Sequence, residues 1–167
     1  MSLCRQNYAE ASEAAVNKQI NMEFEAMYAY TALAAFYARD DIALGKVSAY
    51  FQKSADEEKG HADKLISYQN LRGGRVCFTD IKTPQKTEFK SVEEAFQTAL
   101  DLEKRVNQSL LDLHKVASDS NDAQMTDFIE GEFLGEQVDA IKELSDHVAN
   151  LKRVGPGMGE WHFNQAL

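Results

Sequence analysis

The stretch Ser54-Ala55-Asp56-Glu57-Glu58-Lys59-Gly60-His61-Ala62-Asp63 decides how the rest of the chain can fold. In a helix, Glu58 and His61 lie three residues apart on one face. That face is mostly apolar and advances in alternating steps of four and three, through Val47, Phe51, Ser54, Glu58, His61, Leu65 and Tyr68. Burying a carboxylate and an imidazole unpaired is costly, so both need a partner. Helical bundles hold two metal ions with Glu-x-x-His pairs, but one such pair is a weak motif.

The chain of 167 residues is long enough to bury a core and is predicted to form a single domain, residues 1–167. Its net charge of −9 argues against nucleic-acid and anionic-membrane partners and is compatible with attracting cations. No apolar run is long enough to span a bilayer, and Met1–Tyr8 lacks the apolar core of a secretory signal. Cys4 and Cys77 cannot form a disulfide framework and are expected to be reduced thiols. These features predict a cytoplasmic protein.

Four long segments repeat apolar residues every three or four positions, as amphipathic helices do. We predict helices at about residues 10–38, 45–71, 91–118 and 123–154, and a short tail helix at about 158–167. The first two are joined by a short connection, so they run antiparallel. The connection before the third has about 19 residues and reaches roughly 60 Å, more than the roughly 40 Å length of the second helix. The prediction is therefore an all-α four-helix bundle with one long crossover loop and parallel second and third helices.

Start and stop signals agree with this division. Ser91-Val92-Glu93-Glu94 has the spacing of a capping box at the start of the third helix. Asp122 is a predicted N-cap of the fourth helix, and Gly155-Pro156-Gly157 ends it. Within the crossover, Val76–Ile81 could be extended, and Pro84 excludes helix.

Each of the four apolar faces carries polar residues near its midpoint, namely Glu23, Glu58 with His61, Glu103 and Gln137. Helix midpoints lie at one level in a bundle, so these side chains should converge. Buried carboxylates must be protonated, paired or metal-bound, and no Lys or Arg lies on these faces. Oxygen-rich ligation with one imidazole favours iron or manganese over structural zinc. A single such Glu is more often a solvated residue on a wrongly phased helix, but four polar positions at one depth argue against that alternative.

The fourth helix departs from the symmetric two-metal template, which has a Glu on two helices and a Glu-x-x-His on the other two. It has Gln137-x-x-Ala140 instead. One ion is expected to have full ligation, by Glu23, Glu58 and His61. The second is expected to be held loosely, by Glu103, a share of Glu58 and the weak amide, with Glu57 as a further candidate ligand. A loosely held ion suits iron that passes through better than a permanent cofactor.

Longer stretches carry a family resemblance, namely Arg5-Gln6-Asn7-Tyr8, Gln19-Ile20-Asn21-Met22-Glu23, Arg39-Asp40-Asp41, Gln69-Asn70-Leu71-Arg72-Gly73-Gly74-Arg75, Leu102-Glu103-Lys104-Arg105-Val106-Asn107-Gln108-Ser109-Leu110 and Gly135-Glu136-Gln137-Val138. Over essentially its full length the chain resembles heavy-chain-type ferritins, the ferroxidase-active subunits. The resemblance implies iron storage, with oxidation of Fe(II) by dioxygen or hydrogen peroxide and storage of ferric mineral. It also implies a hollow shell of twenty-four subunits, in which a second ferritin chain type could be mixed.

The resemblance further implies roles for individual residues. The residues that match the family's diiron ferroxidase centre, with two iron ions per subunit, are Glu23, Glu58, His61, Glu103 and Gln137. Glu57 matches a neighbouring carboxylate, and Tyr30 matches the tyrosine beside the centre. Asp127 and Glu130 match the acidic pair that lines the three-fold entry channels. Without the resemblance, an ordinary solvated helix face would be the better interpretation of that pair.

The chain departs from the family pattern at three positions. Gly60 stands where a Glu is common, so the inner-surface nucleation cluster is reduced to Glu57 and Asp63. Glu25 replaces an apolar or aromatic residue and is expected at the surface, with an extra carboxylate near the iron path as the alternative. His162 stands where the family usually places an apolar residue on the four-fold axis; there it either joins a ring of four imidazoles that could hold a metal ion or faces solvent.

Two other classes compete with this interpretation. A rubrerythrin-like or bacterioferritin-like diiron protein needs a second Glu-x-x-His, and a rubrerythrin also needs a Cys-x-x-Cys pair; the sequence has neither. A helical signalling protein with a long crossover needs a secretory signal and has no acidic core. This sequence meets neither condition, which argues against that class.

Overall fold

The computed structural model describes residues 2–167 and is all-α over that range. Its elements are α1 (Glu10–Tyr37), α2 (Gly45–Leu71), α3 (Val92–Asp119), α4 (Ala123–Ile129), a π-helical turn (Glu130–Leu134), α5 (Gly135–Val154) and α6 (Met158–Ala166). The predicted all-α bundle with a long crossover and a short C-terminal helix is confirmed. Among residues 2–167, none of the helices combines the length and the apolar character needed to cross a membrane.

Hydrogen bonds between helices give their directions. Ser48, early in α2, donates to the carbonyl of Ala34, late in α1, at 2.8 Å, so these helices are antiparallel. Tyr30, in the second half of α1, donates a hydrogen bond to Glu103, in the first half of α3, so α1 and α3 are also antiparallel. The helices α2 and α3 are therefore parallel, and the crossover between them spans the bundle.

The interior is built from the apolar faces that the periodicity predicts. Large buried side chains on these faces include Ile20, Tyr30, Phe51, Leu65, Phe96, Val106, Leu110 and Leu151. Burial of each such side chain contributes about 1.5–3 kcal/mol. The Phe51 ring lies 4.9 Å from Phe96 and 6.1 Å from Tyr30, between ring centroids. Tyr30 thereby joins an aromatic layer to the polar side chains at the middle of the bundle.

Both predicted N-caps are present. Ser91 Oγ accepts a hydrogen bond from the backbone N–H of Glu94 at 3.0 Å, at the start of α3. Asp122 Oδ1 accepts one from the N–H of Met125 at 3.0 Å, at the start of α4. Gly155 ends α5 with a φ of 72°, in the left-handed region that glycine adopts without strain.

The tail helix α6 docks on the bundle and caps two other helices. Asn164 Oδ1 accepts hydrogen bonds from the backbone N–H groups of Lys46 and Val47, at 3.0 and 3.1 Å, at the start of α2. Glu160 Oε1 accepts one from the N–H of Val92 at 2.7 Å, at the start of α3. The first N–H groups of a helix have no acceptor within that helix, so α6 supplies acceptors that α2 and α3 lack.

The fourth predicted helix differs from expectation. A single helix is predicted over residues 123–154, but the π-helical turn Glu130–Leu134 interrupts it. A π turn is wider than an α turn, so it rotates the face of α5 relative to that of α4. Residues 76–81, for which an extended segment was possible, have no regular secondary structure.

An ion pair between the partly buried Arg72 and the buried Asp122 holds the N-terminal segment at one end of the bundle. Arg72, just after α2, donates to Asp122 Oδ2 at 2.8 Å and to the carbonyl of Asn7 at 3.0 Å. Its guanidinium also lies 4.8 Å from the centre of the Tyr8 ring. Arg72 therefore holds together the N-terminal segment, the end of α2 and the turn that precedes α4.

Candidate metal centre

Three buried side chains converge between α1 and α2. Glu23 lies at the middle of α1, and Glu58 and His61 lie one turn apart in α2. One ligand atom of each lies within 4.8 Å of the other two. His61 Nδ1 is 3.2 Å from Glu58 Oε2. Two carboxylates and an imidazole in this arrangement can bind a divalent ion such as Fe(II).

The electrostatics of this group favour a bound cation. Burial raises the pKa of Glu23 well above its usual range, and the charge of Glu58 raises it further. Burial also raises the pKa of Glu58, and the neighbouring Glu103 adds to that effect. Glu23 Oε2 is buried and has no hydrogen-bond partner within residues 2–167. A divalent cation would satisfy that oxygen and displace the protons, so the donor set fits a metal ion.

Glu103 forms a second set of polar groups beside the first. Its Oε1 accepts a hydrogen bond from the Tyr30 hydroxyl at 2.5 Å, and its Oε2 accepts one from the Gln137 amide at 2.8 Å. Glu103 is outside the group of three ligands that lie within 4.8 Å of one another. Glu103 already accepts two hydrogen bonds, and the Gln137 amide is a weak ligand. Together they therefore make a weaker metal site than the group formed by Glu23, Glu58 and His61.

A cavity of about 190 Å³ extends between α2 and α5 and reaches this centre. Its lining includes Glu58, His61 and Glu103 from the centre. Its further charged lining residues are Lys53, Glu57, Glu136, Asp139 and Glu143. Because acidic side chains outnumber the one lysine, the cavity has a negative potential that attracts cations.

Sequence reasoning overlooks three residues near the centre. Glu136 Oε2 lies 3.3 Å from His61 Nε2. Gln19 donates to Glu23 Oε1 at 2.7 Å and accepts a hydrogen bond from the Ser109 hydroxyl at 2.5 Å. Gln19 is one helical turn before Glu23, a spacing that could have revealed it. The contact with Ser109 passes between α1 and α3 and has no local sequence signal.

Comparisons with known proteins decide the family. The model of the ferritin family, described as a ferritin-like domain, matches residues 13–154 of this chain. The soma ferritin of Lymnaea stagnalis is 54% identical over 165 residues, which are 99% of this chain and 95% of that protein. The chain belongs to the ferritin family. Ferritin-2 heavy chain of Schistosoma mansoni is 50% identical over 164 residues, which are 98% of this chain and 95% of that ferritin.

Similar ferritins also occur in plants. The chloroplastic ferritin of Malus baccata var. xiaojinensis is 51% identical over 172 residues, covering 100% of this chain and 68% of that protein. Because the names of these ferritins place them in a different compartment, the cytoplasmic location of this one stays a prediction.

The carboxylates proposed for nucleation lie on the exposed side of α2. Glu57 is 3.2 Å from Lys53, and Asp63 is 2.6 Å from Lys59. Both are outside the close group of ligands. Gly60 is exposed, and a Cβ added there would have no atom within 4 Å, so the ferritin bundle does not require glycine at this position.

The remaining predicted site residues are also exposed. Asp127 lies in α4, and Glu130 lies at the start of the π turn, with its Oε1 2.6 Å from His114 Nε2. His162 lies on α6, where its ring is 5.1 Å from that of Trp161. The described residues do not bring Asp127, Glu130 or His162 into the group at the bundle centre.

Glu25 lies toward the crossover. Its Oε1 accepts a hydrogen bond from the Asn21 amide at 2.9 Å and is 4.0 Å from Lys82 Nζ. Glu25 is absent from the lining of the acidic cavity. The alternative that Glu25 adds a carboxylate near the iron path stays a prediction.

Proposed function

We propose that this ferritin stores iron and acts as a ferroxidase that oxidises Fe(II) to Fe(III) with dioxygen or hydrogen peroxide. One observation carries the proposal: Glu23, Glu58 and His61 form a buried group of two carboxylates and an imidazole, and Glu58 and His61 line an acidic cavity. When its carboxylates are ionised, such a group needs a cation to compensate the buried charge. Because the acidic cavity lets cations enter this site within the helix bundle, iron can reach it as a substrate.

Two Fe(II) ions bind per subunit in this proposal. The first is held by Glu23, Glu58 and His61, and the second by Glu58, Glu103 and Gln137. Each Fe(II) gives up one electron, and dioxygen takes up two electrons and two protons to become hydrogen peroxide. The second site is weaker because both Glu103 oxygens already accept hydrogen bonds. Weak binding there lets ferric product leave for storage.

The proposed storage form is a hollow shell of twenty-four subunits, with this chain alone or mixed with a second ferritin chain type. Asp127 and Glu130 would line its three-fold entry channels, where exposed carboxylates raise the local concentration of Fe(II). Glu57 and Asp63 would face the interior and nucleate mineral. Four copies of His162 would meet where the tail helices surround a four-fold axis.

The alternative of a rubrerythrin-like or bacterioferritin-like diiron protein is less well supported. In the symmetric template the fourth helix supplies a Glu and a His, whereas here Gln137 and Ala140 occupy those positions. A second strong metal site is thereby lost, and no other observation favours that class.

The test replaces two ligands and follows Fe(II) oxidation in air, with particle size measured in parallel. Glu58→Lys with His61→Gly should assemble normally but lose fast oxidation, because an ammonium group replaces the metal. The isosteric Glu58→Gln should also be slow and covers the case in which the first variant does not fold. The matched control, Asp56→Lys with Lys59→Gly, makes similar changes on the exposed side of α2 and should keep the wild-type rate. Wild-type oxidation by the ligand variants would overturn the assignment.

A further inference from the structure

The two carboxylate oxygens of Glu23 have different surroundings. Glu23 is 0% exposed, and its Oε1 accepts a hydrogen bond from Gln19 Nε2 at 2.7 Å. Its Oε2 has no hydrogen-bond partner within residues 2–167. One oxygen is therefore occupied by a protein donor, and the other keeps its lone pairs for an ion.

The orientation of Gln19 is set by a second helix. Gln19 is 1% exposed, so water cannot readily replace its partners. Its Oε1 accepts a hydrogen bond from Ser109 Oγ of α3 at 2.5 Å. This bond directs the carbonyl end of the amide toward Ser109 and the N–H end toward Glu23. A flipped amide would place its oxygen against a carboxylate oxygen, which is repulsive when Glu23 is ionised.

We propose that Ser109 and Gln19 form a positioning relay that makes Glu23 a ligand through one oxygen and strengthens divalent-metal binding at the Glu23–Glu58–His61 group. The relay rests on the proposed function, since it acts on the same metal site. Neither residue touches the ion. Ser109 orients Gln19, and Gln19 holds one carboxylate oxygen, so the other stays aimed at the ion before binding. Hydrogen-bond partners of metal ligands act in this way, and their loss typically costs 10–100-fold in metal affinity.

The test uses Co(II), which binds such ligands and is stable in air, and follows its visible absorption during titration. Gln19→Leu keeps the side-chain bulk but removes the donor, and it should weaken Co(II) binding about 10- to 100-fold. The free Glu23 can then bind through both oxygens, which should lower the intensity of the Co(II) bands as coordination number rises. Ser109→Ala should weaken binding less, because the amide remains but is no longer directed, and Ser109→Thr should restore it.

The chain offers a matched control in Gln108, which donates to Asp112 from the exposed side of α3, with the same four-residue spacing. Gln108→Leu should bind Co(II) like the wild type. Wild-type affinity and spectrum in both Gln19→Leu and Ser109→Ala would refute the relay while the metal site stands. If wild-type protein bound Co(II) no better than Glu58→Lys with His61→Gly, both the site and the relay would be refuted. Ser109→Ala keeps the test decisive should Gln19→Leu fail to fold.

Discussion

Replacing Asn164 tests how the tail helix is held to the bundle. The N-cap position of α2 is Leu44, whose side chain accepts no hydrogen bond. Asn164 Oδ1 supplies that acceptor to the N–H groups of Lys46 and Val47, at 3.0 and 3.1 Å. Asn164 is 5% exposed and Val47 is 0% exposed, so in Asn164→Leu water does not replace the lost acceptor of the Val47 N–H while α6 stays docked.

The expected cost follows from these contacts. Loss of an N-cap costs about 0.5–2 kcal/mol, and a buried donor without an acceptor costs about 1–3 kcal/mol. Because one oxygen serves a buried and a partly buried N–H group, we expect Asn164→Leu to destabilise the docked tail helix by about 2–3 kcal/mol. Detachment of α6 would let water reach both donors, so the loss should appear as opening of α6 and not as global unfolding. Because about 1.4 kcal/mol changes an equilibrium constant tenfold, the fraction of molecules with α6 detached should rise roughly 30- to 140-fold.

Amide hydrogen exchange measures this opening directly. In Asn164→Leu, exchange should accelerate in α6 (Met158–Ala166) and at Lys46 and Val47, while the middle of α3 is unchanged. Asn164→Asp keeps the acceptor oxygens and should exchange like the wild type. Gln165→Ala alters an exposed neighbour and is the control. Unchanged exchange of α6 in Asn164→Leu would refute the argument that this side chain holds the tail.

Three further changes test other parts of the molecule. Metal-free Glu23→Gln should gain stability over the wild type as pH rises. Burial raises the pKa of Glu23 in the folded state above its ordinary value of 4.5, so this one carboxyl lowers the stability of the wild type as pH rises above that value, by at most about 1.4 kcal/mol per pH unit. Unfolding midpoints from pH 5 to 8 in chelator check this, and parallel pH profiles would contradict it. Arg72→Met leaves the buried Asp122 carboxylate unpaired and should cost about 3–5 kcal/mol in denaturant unfolding, whereas adding Asp122→Asn should recover part of the loss. Asp127→Ala with Glu130→Ala should slow iron uptake at low iron and low salt and recover at saturating iron, and an unchanged initial rate would place entry elsewhere.

Much of this molecule follows from local patterns in the sequence. The periodicity predicts the bundle and the inward faces of Glu23, Glu58 and Glu103, all of which the structure buries. Ser91 and Asp122 predict helix starts because an N-cap bonds to a backbone N–H only three residues ahead. Such signals are readable because the regular backbone of a helix sets which residues share a face.

Other features depend on how the helices are rotated and shifted against one another. Ser109 reaches Gln19 across 90 positions of sequence, and Asn164 reaches Val47 across 117. Within the fourth helix, the π-helical turn Glu130–Leu134 rotates the face of α5. The sequence determined which side chains face inward, because helical periodicity is local. Only the tertiary structure decided which side chains meet, because the register between helices is set by the packing of the whole core.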